Sequence, residues 1–221
     1  MLAPGFVDSL RAIVGPRGVR TGEAAMQLDP GFDLRNLGAG IEVAPADAEA
    51  TARVVACCAA AGIAIVPQGG RTGLAGGGVS APGQIVLSTA RLDRILALDP
   101  LGGTATVEAG VRLAAIETAA AEHGLTVGID LGARDSATIG GIISTNAGGI
   151  EAFRNGVMRR RVLGLEAAMP DGTLFSELKR VGKANEGYDL KQLLIGAEGT
   201  LGVVTKAVLE LLPAPDRKSV V

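Results

Sequence analysis

Apolar and polar positions along this chain change period several times, and each change marks a predicted element. Over DAEATARVVACCAAA, residues 47–61, Ala and Val recur at helical spacing behind an N-capping Asp47, with Glu49 in the first turn and Gly62 at the C′ position. This segment reads as a helix packed through small side chains. It leads into a strand at 63–66, which Pro67 stops, and a second strand follows at 84–88. Alternating apolar runs at 94–99 and 103–109 flank Pro100-Leu101-Gly102 and predict a hairpin. Leu113, Ile116 and Ala120 share one face of 112–123, a helix that Gly124 ends. Residues 161–169 and 173–176 surround Pro170-Asp171-Gly172, a turn in which Pro presets φ and Gly tolerates a left-handed backbone, so a second hairpin is expected. A short helix near 188–194 and a long strand at 202–212 complete the pattern.

A strand–helix–strand start followed by strand-rich segments argues for an α+β (mixed α/β) fold in two lobes, with a break near residue 90. The expected organisation is an N-terminal helical segment over 1–36, one lobe over 37–90, a second over 91–215 and a tail at 216–221. No internal repeat is visible.

The 221 residues suffice to bury a real core, and glycine supplies 33 of them, about twice the usual share. The excess is clustered rather than periodic, which excludes collagen and points to tight turns or ligand loops. A net charge of −2 without a long basic block gives no electrostatic footprint for nucleic acid or an anionic membrane. Four Phe, one Tyr and no Trp leave almost no material for a base-stacking surface. No apolar stretch approaches the roughly 18–20 residues that span a bilayer, and Met1-Leu-Ala-Pro-Gly-Phe6 lacks a signal-like pattern, so a cytoplasmic protein is expected. Cys57 and Cys58 are adjacent on a helix and read as small buried hydrophobes.

Candidate chemistry concentrates in three glycine clusters. The first, Gly69-Gly70-Arg71-Thr72-Gly73-Leu74-Ala75-Gly76-Gly77-Gly78, follows a strand, where residues without a Cβ can turn successive N–H groups towards an anion. A Rossmann G-x-G-x-x-G should open a helix, but Gly76–Ala81 runs into Pro82-Gly83 and a strand. A P-loop needs Gly-Lys-Ser/Thr, and Gly182-Lys183 continues with Ala184. The second cluster is Thr138-Ile-Gly-Gly-Ile-Ile-Ser-Thr-Asn-Ala-Gly-Gly149 and the third Gly196-Ala-Glu-Gly-Thr-Leu-Gly202. One phosphate needs one nest; three loops imply a dinucleotide-sized ligand, with Ser136, Thr138, Thr145 and Asn146 as neutral donors and acceptors for its polar edges.

In Pro67-Gln-Gly-Gly-Arg-Thr-Gly-Leu74, Ala137-Thr-Ile-Gly-Gly141, Asn146-Ala-Gly-Gly149, Val162-Leu-Gly-Leu-Glu166 with Pro170-Asp-Gly172, and Gly187-Tyr-Asp-Leu190 leading to Gly196–Gly202, the chain resembles the FAD-linked oxidase family. The flavin domain of that family is the para-cresol methylhydroxylase or vanillyl-alcohol oxidase type, and the likeness is greatest to the D-lactate, glycolate and D-2-hydroxyglutarate dehydrogenase branch, over about residues 10–215. The resemblance implies two α+β lobes with FAD between them and no Rossmann unit. It implies that Pro67, Gly69, Gly70, Arg71, Thr72, Gly73 and Leu74 hold the pyrophosphate. Asp135, Ser136, Thr138, Ile139, Gly140, Gly141, Thr145, Asn146, Ala147, Gly148 and Gly149 would line the rest of the flavin. Glu198, Gly202, Val203 and Val204 would complete the adenine or ring contacts. Members with covalent FAD use His or Cys near the first loop; residues 59–122 hold neither, so non-covalent FAD is expected. Arg71 stands where the family often has glycine and either reaches the phosphates or points to solvent, the latter being favoured here. Asn155-Gly156 replaces the more usual Tyr-Gly.

Oxidising a 2-hydroxy acid needs a hydride acceptor, a base and a cation for the carboxylate, of which FAD supplies the first. No catalytic residue is assigned. His123, at the end of the second helix, fits a capping or dipole role, and no metal-ligand spacing is present. Lys183, Asn185 and Tyr188 could face the flavin or solvent. Related enzymes carry a substrate-capping domain after the flavin domain, and this chain reaches Val221 about where that domain would begin. A flavin-dependent D-2-hydroxyacid dehydrogenase portion is therefore the leading reading, with a small hydroxy acid as substrate and the electron acceptor open. A non-catalytic FAD module needing a partner chain is the alternative, and a NAD- or phosphate-binding protein the third.

Overall fold

The computed structural model describes residues 5–183, 185 and 187–215; the expected tail at 216–221 lies outside them. Two sheets divide the chain between Ser88 and Ile95. The first has β1 (Val19–Thr21), β2 (Ile41–Val43), β3 (Ile65–Gln68) and β4 (Ile85–Ser88) in the order β1-β2-β4-β3, with β2, β4 and β3 parallel and β1 antiparallel to β2. Around it lie α1 (Phe6–Val14), α2 (Glu23–Met26) and α3 (Ala48–Ala60). The 1–36 segment thus contributes a strand as well as helices.

The predicted helix at 47–61 is α3. Asp47 caps it, its Oδ1 accepting from the Ala50 N–H at 2.6 Å. Val54, Val55 and Cys58 are buried against Leu10 and Val14 of α1 and Ile85 and Leu87 of β4. Burial, with the neighbouring Cys57 adding, pushes the Cys58 thiol up to about 12, so it behaves as a small hydrophobe. Pro67 was expected to stop its strand, yet it lies inside β3. It is tolerated because β3 is an edge strand, so the missing N–H interrupts no ladder on the open side.

The second sheet is antiparallel throughout, in the order β5-β6-β10-β8-β9, from β5 (Ile95–Asp99), β6 (Thr104–Glu108), β8 (Val162–Ala168), β9 (Leu174–Glu177) and β10 (Val203–Glu210). Both predicted hairpins form. A pair of short strands, β7 (Leu125–Thr126) and β11 (Leu212–Pro213), closes the far end; the long strand expected over 202–212 therefore breaks at Leu211, whose N–H donates to the Gly103 carbonyl. The helices are α4 (Leu113–Ala121), α5 (Ile139–Ser144), α6 (Ala152–Asn155) and α7 (Lys191–Leu194). Leu113, Ile116, Ile139 and Ile143 bury α4 and α5 on Val107, Leu165, Ala207 and Leu209 of the sheet.

The two sheets share packing. Ala168 and Val203, from the second sheet, belong to the core of the first, and Gly172 at the β8–β9 turn lets that turn approach α3 so closely that a Cβ would lie 2.6 Å from Ala56 Cβ.

Candidate functional site

A cavity of about 720 Å³ lies at the carboxyl end of β3, where the three glycine clusters meet. That is within the range of roughly 300–1,000 Å³ for ligand and cofactor sites. Its wall includes Pro67, Gly69, Gly70, Arg71, Thr72, Gly73 and Leu74 from the first cluster, Thr138, Gly140, Gly141, Thr145 and Ala147 from the second, and Glu198, Gly202, Val203 and Val204 from the third and the start of β10.

Of the second cluster, expected as a loop, Ile139–Ser144 form the helix α5. Thr138 caps it, its Oγ1 accepting from the Gly141 N–H, and Gly140 permits a contact in which a Cβ would stand 2.7 Å from Ala109 Cβ. Packing on the end of β6 outweighs the poor helix propensity of paired glycines. The helix turns Ile139 into the core at zero exposure, and the Ile139 and Gly140 amides donate to the Val111 and Ala109 carbonyls. Ile139 is therefore not part of the cavity wall. Nor are Asp135, Ser136, Asn146, Gly148 and Gly149. The Ser136 carbonyl backs Gly70, Gly148 packs on Ala152 and Val157, and Gly149 sits on the Asp130 carbonyl. Asn146, left-handed at φ 50, accepts from the Arg159 N–H through Oδ1 at 2.9 Å. Arg159 in turn donates to the Gln192 and Ile195 carbonyls, tying α7 and the third cluster to the end of α5.

The glycines serve mutual approach of the loops. A Cβ on Gly69 would lie 2.1 Å from Thr138 Oγ1, and one on Gly70 1.8 Å from the Ser136 carbonyl oxygen. Across the cavity, a Cβ on Gly77 would meet Glu198 Oε2 at 2.7 Å and one on Gly199 would meet Pro67 Cγ at 2.8 Å. The first loop therefore touches both other clusters. Among the described residues, the amides from Gly70 to Gly78 donate to no protein acceptor. All of these residues but Gly76 line the cavity, and unpaired donors on a concave wall are the arrangement that anions occupy.

Backbone strain gathers at the same place. Arg71 at φ 55 and Glu198 at φ 51 are left-handed without being glycines, and both line the cavity. Arg71 does not take the favoured direction towards solvent. Its side chain, 12% exposed, pairs with Glu42 at 2.7 Å instead of pointing to solvent. Glu198 is the other ionisable group of the wall; Gln68, Thr72, Thr89, Ser144 and Thr145 supply neutral polar groups. Phe32, which sequence reasoning missed, is the aromatic ring of the wall. No signal in the sequence brings it there, because the 29–32 segment reaches the loop only through the fold.

His123 is exposed, its N–H donating to the Ala120 carbonyl, and lies off the cavity wall. Lys183 and Asn185 are exposed, and Tyr188 lines a separate polar cavity of about 310 Å³ with Lys191 and Glu210. Asn155 donates through Nδ2 to the Gly128 carbonyl at 3.1 Å and is likewise off the cavity wall. Among the described residues no group of three or more His, Cys, Asp or Glu could hold a metal, and no helix is long and apolar enough to cross a membrane.

A family model described as an FAD binding domain matches residues 39–176. A D-2-hydroxyglutarate dehydrogenase of Xanthomonas citri pv. viticola is 44% identical over 176 residues, covering 80% of this chain and 37% of that protein. The mitochondrial D-2-hydroxyglutarate dehydrogenase of Bos taurus is 40% identical over 176 residues, covering 80% of this chain and 32% of its own length. The chain thus spans about a third of the length of these curated relatives. In three dimensions, alkyldihydroxyacetonephosphate synthase superposes with a TM-score of 0.84 at 23% identity, over 98% of this chain and 42% of that one. That likeness establishes the fold.

Proposed function

The chain belongs to the FAD binding domain family, and on that premise we propose that its cavity is the FAD cradle of a flavin-dependent dehydrogenase acting on a small D-2-hydroxy acid. The observation that carries this reading is the row of amides from Gly70 to Gly78 without protein acceptors, on a loop that glycines bring against both other clusters. These donors suit a pyrophosphate. Gly140, Gly141, Gly202 and the short side chains Thr145 and Ala147 leave room for flat rings, and Val203 and Val204 offer an apolar wall. Bound FAD supplies the hydride acceptor. The protein's part here is to hold the cofactor in fixed orientation and to exclude water from one side of it. Residues 59–122 hold no His or Cys, which favours non-covalent attachment.

A base and a cation for the substrate carboxylate are also needed. The ionisable wall residues are Arg71, committed to Glu42, and Glu198. That scarcity favours a second reading, in which this chain holds FAD while substrate groups come from a further domain or subunit. Purified protein should carry flavin absorbance or take up added FAD. D-lactate, glycolate and D-2-hydroxyglutarate should then be tested for bleaching of the bound flavin. A folded chain that takes up no FAD overturns the first reading. Flavin that binds but stays oxidised with every substrate selects the second.

A further inference from the structure

Arg71 occupies the backbone conformation that a glycine adopts at least cost, yet its guanidinium is engaged in three directions. Nε donates to Gln68 Oε1 at 2.7 Å, Nη1 to the Asp29 carbonyl at 3.1 Å, and Nη2 to Glu42 Oε1 at 2.7 Å. Glu42, its side chain 5% exposed, stands on β2 between β1 and β4, and its second carboxylate oxygen accepts from Arg20 at 2.6 Å. Gln68 donates through Nε2 to the Asn36 and Gly78 carbonyls, so the residue before the glycine loop is bonded to the residue that ends it. The Arg71 carbonyl accepts from the Phe32 N–H at 3.3 Å, and Gly31 approaches that carbonyl so closely that a Cβ would lie 2.1 Å away.

We infer that Arg71 is a positioning residue: the Glu42–Arg71–Gln68 strut holds the 69–78 loop in its left-handed turn and clips the 29–32 strap that carries Phe32 to the cavity. Its guanidinium is held within the first lobe by Glu42, which it shares with Arg20. The inference rests on the flavin-cradle reading, in which backbone amides hold the pyrophosphate, and adds one thing to it. Glu42, which does not line the cavity, controls cofactor affinity through the loop.

The test is FAD titration of the whole purified chain, followed by flavin fluorescence at about 0.05 and 0.5 M salt, with circular dichroism to establish folding of each variant. Wild-type affinity should change less than about threefold between the two salts, because uncharged amides are not competed by counterions as a guanidinium is. Glu42→Gln should weaken FAD several-fold, and Arg71→Lys, which keeps the charge but loses the planar fork, roughly tenfold. Glu42→Gln combined with Arg71→Gly should recover to within about threefold of wild type, since glycine stays left-handed without a strut. Retained affinity in Arg71→Lys, a loss on Arg71→Gly that disappears at high salt, or unchanged affinity in Glu42→Gln would each overturn the inference and make Arg71 a direct anion ligand or a bystander. Failure of the folded wild-type chain to bind FAD would instead overturn the flavin reading on which the inference stands.

Discussion

A methyl group at Gly70 would come within 1.8 Å of the Ser136 carbonyl oxygen, whereas at Gly73 it would meet nothing within 4 Å. Two glycines of one loop therefore carry different constraints. Gly70→Ala must push the first loop off the 136–138 segment and should cost about 1–3 kcal/mol in denaturant unfolding, with weaker FAD uptake. Gly73→Ala should change stability by less than about 0.5 kcal/mol in the same experiment. Glu117 offers a second test at this scale. Burial raises its pKa above the ordinary 4.5, the Glu151 and Asp130 charges add to the rise, and hydrogen bonds from Thr126 and the Val127 amide only partly oppose it. Its carboxyl holds a proton in the folded state to higher pH than in the unfolded chain. Stability should therefore fall as pH rises from about 4.5 through the raised value and stay lower above it. Unfolding midpoints measured along that range should show the decline in wild type and a flatter profile in Glu117→Gln.

At the level of elements, the helix over 47–61 was readable because its N-cap, helical spacing and C-terminal glycine all agree, and Asp47 makes the expected bond. Asp47→Ala should lower stability by about 1 kcal/mol in chemical denaturation, with Asp47→Ser retaining most of it. The helix over 139–144 was not readable. Thr138-Ile-Gly-Gly resembles a loop because glycine is a poor helix former, and what makes it helical is packing on Ala109, 31 residues before Gly140 in sequence, against which that glycine must fit. The strand 65–68 shows the same effect in reverse. Pro67 signals an end locally, and only its place at the sheet edge admits it.

Across the whole molecule, the sheets cannot unfold independently at low cost, because Ala168 and Val203 sit in the first core and the β8–β9 turn packs on α3. Calorimetry should find one transition with equal calorimetric and van't Hoff enthalpies; two resolved transitions would contradict the shared packing. With loops from both sheets forming one wall, FAD should stabilise the entire fold. At about 100 times its dissociation constant the gain should be about 2.7 kcal/mol, visible as a rise in melting temperature.

The sequence by itself determined the main period-based elements, the mixed α+β class, and the clustering of glycines where a large anionic ligand was to be sought. These are local properties: spacing, caps and turn residues act over a few positions. Only the tertiary structure decided which clustered residues reach the cavity. Ile139 turns inward because a helix rotates each residue by a fixed angle, and Gly69 and Gly70 are required by Thr138 and Ser136 rather than by the loop's own turn. It also decided the direction of the Arg71 side chain, since that of a long charged group is set by whatever buried partner lies within reach. Here that partner is Glu42, on a strand 29 residues earlier.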